Sequence, residues 1–214
     1  MRRILRSSIY ALALTVATAA IARDNEGEKN RNAQLKGQYA LNGTVSCIVS
    51  GTPFNPNFTP TSFTVFTRAT LVGVQTFTGN GTGTFKARSV GLNPPPVTNN
   101  ATTPPTTPLG GISAGASDAV GEFAYSIDSE GLLSIDLVPG TFLQVTNTSG
   151  PGAGSSFIVD HHQLAGMISR DKKTIVLATT EPLMETQTVT PVVGPAFNRY
   201  RVCHRWHVLT WIGE

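Results

Sequence analysis

Asp160-His161-His162 is the densest local grouping of residues that can move a proton or hold a cation. Two imidazoles beside a carboxylate suit a general base or a metal ligand in a cavity. Neighbouring residues on a strand point to opposite faces. On a regular strand, His161 shares a side with Phe157, Val159 and Met167, and His162 with Ile158, Asp160, Leu164 and Ile168. One ring then faces the interior of the fold and the other faces out. The plainer alternative is a histidine satisfied by its neighbours or by solvent, because one strand offers at most a partial site and no second ligand set is visible.

The second chemical stretch is the last one, Arg199 to Ile212. It holds Cys203, both tryptophans, two of the four histidines and three arginines. Read as a strand, it places Arg201, Cys203, Arg205, His207, Leu209 and Trp211 on one face. Tyr200, Val202, His204, Trp206, Val208 and Ile212 take the other, more apolar, face. The only other cysteine, Cys47, lies in the first strand-like segment, on an apolar face with Tyr39, Leu41, Val45 and Val49.

If the chain is exported, as its leader at residues 1–22 implies, the two cysteines are most simply one disulfide, Cys47–Cys203, which fastens the last strand to the first; two free thiols are the alternative. A cross-strand disulfide needs both cysteines on one face. Cys47 sits on the apolar face of its strand and Cys203 on the polar face of its own, so two solutions stay open. In one, the interior is partly polar, and Arg205 and His207 line a cavity fit for an anionic or carboxylated ligand. In the other, a bulge shifts the register and both are surface residues. The bulge is the blander solution and is preferred here, because buried arginines are rare unless paired. His161, His162, Arg205 and His207 are thus the candidate ligand-binding residues, with no catalytic residue assigned.

Other chemistries find little support. There is no C-x2-C spacing for zinc or redox work, no Gly-x-Ser-x-Gly elbow, and no glycine-rich loop ending in Lys-Ser/Thr. No metal or cofactor is expected. Glu122, Asp128 and Asp136 fall at outward or turn positions. Five Asn-x-Ser/Thr sequons, at Asn42, Asn57, Asn80, Asn100 and Asn147, carry no assigned role.

The elements that must position these residues are strands. Charged residues make up 14% of the 214, Gly and Pro number 21 and 14, and threonine is frequent. That composition favours strands joined by turns. Arg2, Arg3 and Arg6, the apolar Ile9 to Ile21 and Ala20-Ile21-Ala22 read as a secretory signal over residues 1–22, too short for a spanning helix. Three of the 16 basic residues leave with it, matching the 13 acidic ones. The mature chain is then formally neutral, and the basic pI does not point to nucleic acid. Residues 23–35 are polar and read as a flexible leader.

From residue 36 to 214 the pattern is one β domain. Strands are expected at about 37–49, 63–77, 82–92, 122–127, 133–137, 141–148, 157–168, 174–179 and 184–190, and in the closing stretch. Gly79-Asn80-Gly81 marks a tight hairpin, and Pro139-Gly140 a second turn. A Pro/Thr-rich segment at 93–117 reads as a long loop without a core of its own. No helical period separates the strands. The expected fold is all-β, a mostly antiparallel up-and-down barrel of eight to ten strands, with a two-sheet sandwich as alternative.

Gly81-Thr-Gly-Thr-Phe, Val138-Pro-Gly-Thr-Phe and Cys203-His-Arg together resemble a group of small exported bacterial β-barrel proteins of uncharacterised function. The general shape is similar to lipocalin-type and allene-oxide-cyclase-type barrels, although the lipocalin Gly-x-Trp signature is here Gly37-Gln-Tyr. The resemblance implies a barrel and leaves the activity open. Three functions remain: a barrel holding a small apolar or amphipathic molecule, a lipid-type cyclase or isomerase on that scaffold, and a filled barrel that acts through its loops. The first asks least beyond the fold. Stable membrane insertion is not expected, since the aromatic girdles of a membrane barrel are missing. The oligomeric state is not legible.

Overall fold

The computed structural model describes residues 31–62, 64–93 and 113–214; the secretory signal expected over residues 1–22, residues 23–30 of the expected leader and residues 94–112 of the Pro/Thr-rich segment lie outside the described residues. Eleven strands follow one another: β1 (Lys36–Ser50), β2 (Thr64–Thr78), β3 (Thr82–Asn93), β4 (Ser113–Ile127), β5 (Leu132–Leu137), β6 (Leu143–Asn147), β7 (Ser156–Val159), β8 (Leu164–Ile168), β9 (Thr174–Ala178), β10 (Met184–Thr190) and β11 (Phe197–Gly213). All pairings are antiparallel. The last strand pairs back onto the first, so the sheet closes on itself. Closure satisfies the strand edges that an open sheet leaves unpaired.

The eleven strands make a ring of eight. β5 pairs with β4 along Phe123–Ile127, and β6 pairs with the same strand along Ser117–Val120. β7 then pairs with β6, and β8 with β5. β10 follows β7, β9 follows β8, and both finally pair with β11. Each couple is one wall strand interrupted at mid-height, at 138–142, 160–163 and 179–183. The Pro139-Gly140 turn therefore does not reverse the chain as the sequence suggests; it bulges a single wall strand outward and lets it continue. The expected strand 157–168 is likewise two strands, with the histidines in the gap.

Tight turns hold the hairpins where the sequence places them. Gly79 and Gly81 adopt φ of 85° and 95°, a region that costs glycine nothing. Asn80 Oδ1 accepts the Thr82 amide across that turn at 3.1 Å. The Pro/Thr-rich segment is narrower than expected, because Asn93 still ends β3 and β4 already begins at Ser113.

Inward residues divide the barrel into two halves. In one half they are large and packed: Tyr39, Leu41, Leu71, Phe77, Phe123, Tyr125, Leu133, Ile135, Leu164, Ile175, Leu177 and Leu209. Phe77 lies edge-on to Tyr39, Phe123 and Tyr125, with ring centroids 5.3, 5.2 and 5.0 Å away. This is the arrangement that the ring quadrupoles favour. The end of this half is plugged by residues 31–35, which are not the free leader that their polarity suggests. Leu35 is fully buried in the core. Asn32 donates to the Tyr125 carbonyl and accepts the Ile127 amide, while the Tyr125 hydroxyl donates to the Leu35 carbonyl at 2.8 Å. One leucine in a polar run suffices to dock it, because the Asn32 side chain satisfies backbone groups that the plug covers.

Cys47 and Cys203 face each other directly in the β1–β11 register and are joined, with Cα atoms 4.1 Å apart. The bond spans 156 residues. Loop-closure entropy puts its stabilisation at about 5 kcal/mol, as an upper figure.

Candidate functional site

The other half of the barrel is hollow, and the reason lies in residue size. Inward positions on β2, β3 and β4 facing this half are mostly small, Thr67, Ala69, Ala87, Ser89, Gly91, Gly115, Ser117 and Ala119, with Val65, Leu71 and Phe85 the larger exceptions. Such small side chains cannot reach the barrel axis. An eight-stranded barrel is just wide enough either to fill with side chains or to hold one small ligand. Here a cavity of about 670 Å³ remains. Val45, Val49, Leu143, Val145 and Phe157 add apolar wall, and the mouth lies among Pro151, Ala153, Pro191 and Val192.

Opposite the small residues stands a polar wall from β10 and β11. Arg199, Arg201, Arg205 and His207 all point inward and line the cavity. No bulge intervenes near the disulfide: the β1–β11 register runs unbroken from Tyr39↔Trp211 to Ser50↔Tyr200. The surface placement preferred above for Arg205 and His207 is therefore corrected. Both are buried, at 3% and 2% exposure, and the interior is partly polar.

What allows it is Glu185 on β10, a residue the sequence reading passed over. It is 1% exposed and lies opposite Arg201 in register. Its Oε2 accepts Arg201 Nε at 2.6 Å and Arg205 Nη2 at 2.7 Å, and its Oε1 pairs with Arg205 Nη1 at 2.5 Å. Burial works against the carboxylate, but the Arg201 and Arg205 charges prevail and hold it below the ordinary glutamate value. A signal existed: alternation puts Glu185, Gln187 and Val189 on one face, and inward arginines require a carboxylate partner.

The triad leaves charge over. Arg205 is gripped by both carboxylate oxygens and Arg201 by one, while Arg199 has no carboxylate within ion-pair distance among the described residues. Burial alone pushes the Arg199 guanidinium below its usual pKa. Its neighbour across the strands is Gln187. Four buried polar atoms make no hydrogen bond within the described protein: Arg199 Nε, Gln187 Oε1, His162 Nδ1 and His207 Nε2. All four residues line the cavity. A buried unpaired polar group costs free energy that a ligand or water can return.

The histidine pair of the sequence splits as strand geometry requires, but by a different route. The strand ends at Val159, and Asp160 turns the chain by accepting the Thr186 amide at 2.7 Å. His161 lies outside, its Nδ1 2.9 Å from Asp160. His162 turns in between Phe85 and His207, with ring centroids 6.4 Å from each. Burial, then the charges of Arg205, His207 and Arg201, keep His162 well below the ordinary histidine pKa. Burial and Arg205 lower His207 to about 4. Gly43, opposite His207 in register, makes room for its ring; a methyl group there would lie 2.5 Å from His207 Cδ2.

His162, Arg205 and His207 thus meet on one wall, and His161 does not join them. Among the described residues no cluster of three metal-ligating side chains forms, and no helix is long and apolar enough to cross a membrane. The cavity is two-sided: small and apolar residues dominate one side, and arginine, glutamine and histidine side chains the other. Compared with models of protein families the chain matches none, and no curated protein sequence matches it.

Proposed function

We propose that this protein is an exported barrel that holds one small amphipathic molecule in its interior. The observation that carries this reading is the cavity of about 670 Å³, within the range of ligand pockets, whose unpaired polar atoms sit on one wall only. Export is supported by the basic and apolar leader at residues 1–22 and by a disulfide that an oxidising compartment sustains. The likeness to small exported bacterial barrels and to lipocalin-type shapes fits the same account.

The test uses 1-anilinonaphthalene-8-sulfonate, an amphipathic fluorophore. The expected result is saturable binding at one site per chain, abolished by Ala87→Trp or Ala119→Trp, each of which fills the cavity from the small-residue wall. Circular dichroism checks that the variants keep their β signal. Binding that survives both substitutions would place the probe on the outer surface and end this reading.

One observation favours a second reading, an isomerase of a lipid-like substrate. His162 and His207 are held neutral on the cavity wall, the state in which an imidazole accepts a proton. Turnover of a bound ligand that is lost in His162→Ala while binding persists would select it over simple carriage.

A further inference from the structure

We infer that the ligand carries an oxyanion head, which docks on Arg199 and the free edge of Arg201, with its apolar body along the β2–β4 wall. This rests on the binding reading above and names the chemical class that the site takes.

Arg199, Arg201 and Arg205 face the cavity, and among the described residues Glu185 is the one carboxylate paired with any of them. The group is left with two positive charges in excess. Burying an uncompensated cation is costly, and proteins normally supply a counter-charge. None comes from the described chain: no Asp or Glu lines the cavity, and Arg199 has no ion pair.

Geometry then selects the head over the tail. Glu185 grips Arg205 through both carboxylate oxygens and Arg201 through Nε alone, so Arg199 and the outer edge of Arg201 are the guanidinium donors least engaged by a carboxylate. The two arginines are two residues apart on β11 and point to the same side. Gln187 lies beside Arg199 and is 4% exposed; its unpaired Oε1 is an acceptor, so the hold on an anion falls to the arginines. Phe157 lies under Arg201, with its ring centroid 5.9 Å from the guanidinium carbon, and Phe197 lies 5.9 Å from that of Arg199. Both forks are braced by rings, which lowers the entropy lost when they grip an anion. Planar forks with parallel N–H bonds match carboxylate and phosphate oxygens alike.

The opposite wall is less polar. Its Ala69, Ala87, Gly91 and Ala119 present methyl groups and backbone, the Ser89 and Ser117 hydroxyls hydrogen-bond each other at 2.8 Å, and its one arginine, Arg68, is an exposed residue of β2. A molecule charged throughout would leave that wall idle, and a neutral apolar molecule would leave the arginines uncompensated.

The test is calorimetric titration of the intact oxidised protein with four probes: dodecanoate, dodecyl phosphate, dodecanol and inorganic phosphate. The expected result is that one or both charged amphiphiles bind at least tenfold more tightly than dodecanol, and that inorganic phosphate binds more weakly than either. The stronger of the two charged probes identifies the head as monoanion or dianion. Arg199→Met makes the clean variant, because among the described residues Arg199 belongs to no ion pair and its loss leaves the Glu185 triad whole. It should weaken the preferred charged probe by about tenfold to a hundredfold, the scale of a hydrogen bond to a charged group, and leave dodecanol unchanged. Dodecanol binding as tightly as the charged amphiphiles, or Arg199→Met binding them as well as the parent, would overturn the inference while leaving the binding reading in place. If no amphiphile and no fluorophore binds, the binding reading itself falls.

Discussion

Replacing Glu185 by Gln removes one negative charge and keeps the shape. In the parent, three contacts of 2.5 to 2.7 Å tie this carboxylate to Arg201 and Arg205, and all three side chains are buried, at 1%, 8% and 3% exposure. The amide retains one acceptor oxygen and turns an NH₂ toward guanidinium donors. Two buried cations then face each other without an anion. Breaking a buried ion pair by removing one partner costs about 3–5 kcal/mol. With a urea slope of about 2 kcal/mol per molar, the unfolding midpoint of Glu185→Gln should fall by about 1.5–2.5 M. The assay is equilibrium urea denaturation at pH 7 with the disulfide intact, followed by both far-UV circular dichroism and tryptophan fluorescence. Apolar replacement of a whole buried cluster is often close to neutral, so Glu185→Met with Arg201→Met and Arg205→Met should recover most of the loss. A midpoint shift for Glu185→Gln below about 0.5 M would mean that the arginines find water or other partners, and the account of a desolvated triad would be wrong.

Acid should destabilise the fold before the carboxylates titrate in bulk. His207 has a folded pKa of about 4 against an ordinary value of 6.5, so between these values the unfolded chain binds the extra proton. Stability is full above pH 6.5 and declines toward pH 4 by about 3 kcal/mol from this group. Glu185, whose folded pKa is lowered, adds a loss of the same sign as the pH falls through it. Urea midpoints at pH 7, 5.5 and 4.5 read this directly; a flat profile across that window would refute the buried neutral imidazole. Leu35→Ala should cost about 2–5 kcal/mol, because Leu35 is the fully buried residue by which the plug docks on the core. A cost below 1 kcal/mol would show that residues 31–35 merely rest on the barrel end.

The wall of this barrel is legible residue by residue in the sequence. Strict alternation in Tyr39, Leu41, Val45, Cys47 and Val49 gives both the β1 strand and its inward face, and Gly79-Asn80-Gly81 gives the β2–β3 hairpin. The disulfide follows from counting cysteines, and its register shows that the closing strand turns its arginine face inward. A surface position for Arg205 and His207 needs a bulge between them and Cys203, and the register there is unbroken.

What only the tertiary structure decided is what stands across the axis from each inward residue. Alternation says which side a residue faces, but whether that side is packed or hollow depends on the summed size of residues from eight strands. Ala69, Ala87, Ser89 and Ala119 look like ordinary small strand residues until they stand opposite Arg199 and Arg201. Glu185 and Arg205 are 20 residues apart in the chain and meet only because β10 and β11 are neighbours in the wall. His162 points inward because Asp160 is caught by the Thr186 amide, a contact made between two wall strands that no local period encodes. The local sequence therefore determined strand, face and crosslink, which depend on near neighbours. Barrel closure determined the cavity and its excess of positive charge, because both are properties of residues that meet only across the interior.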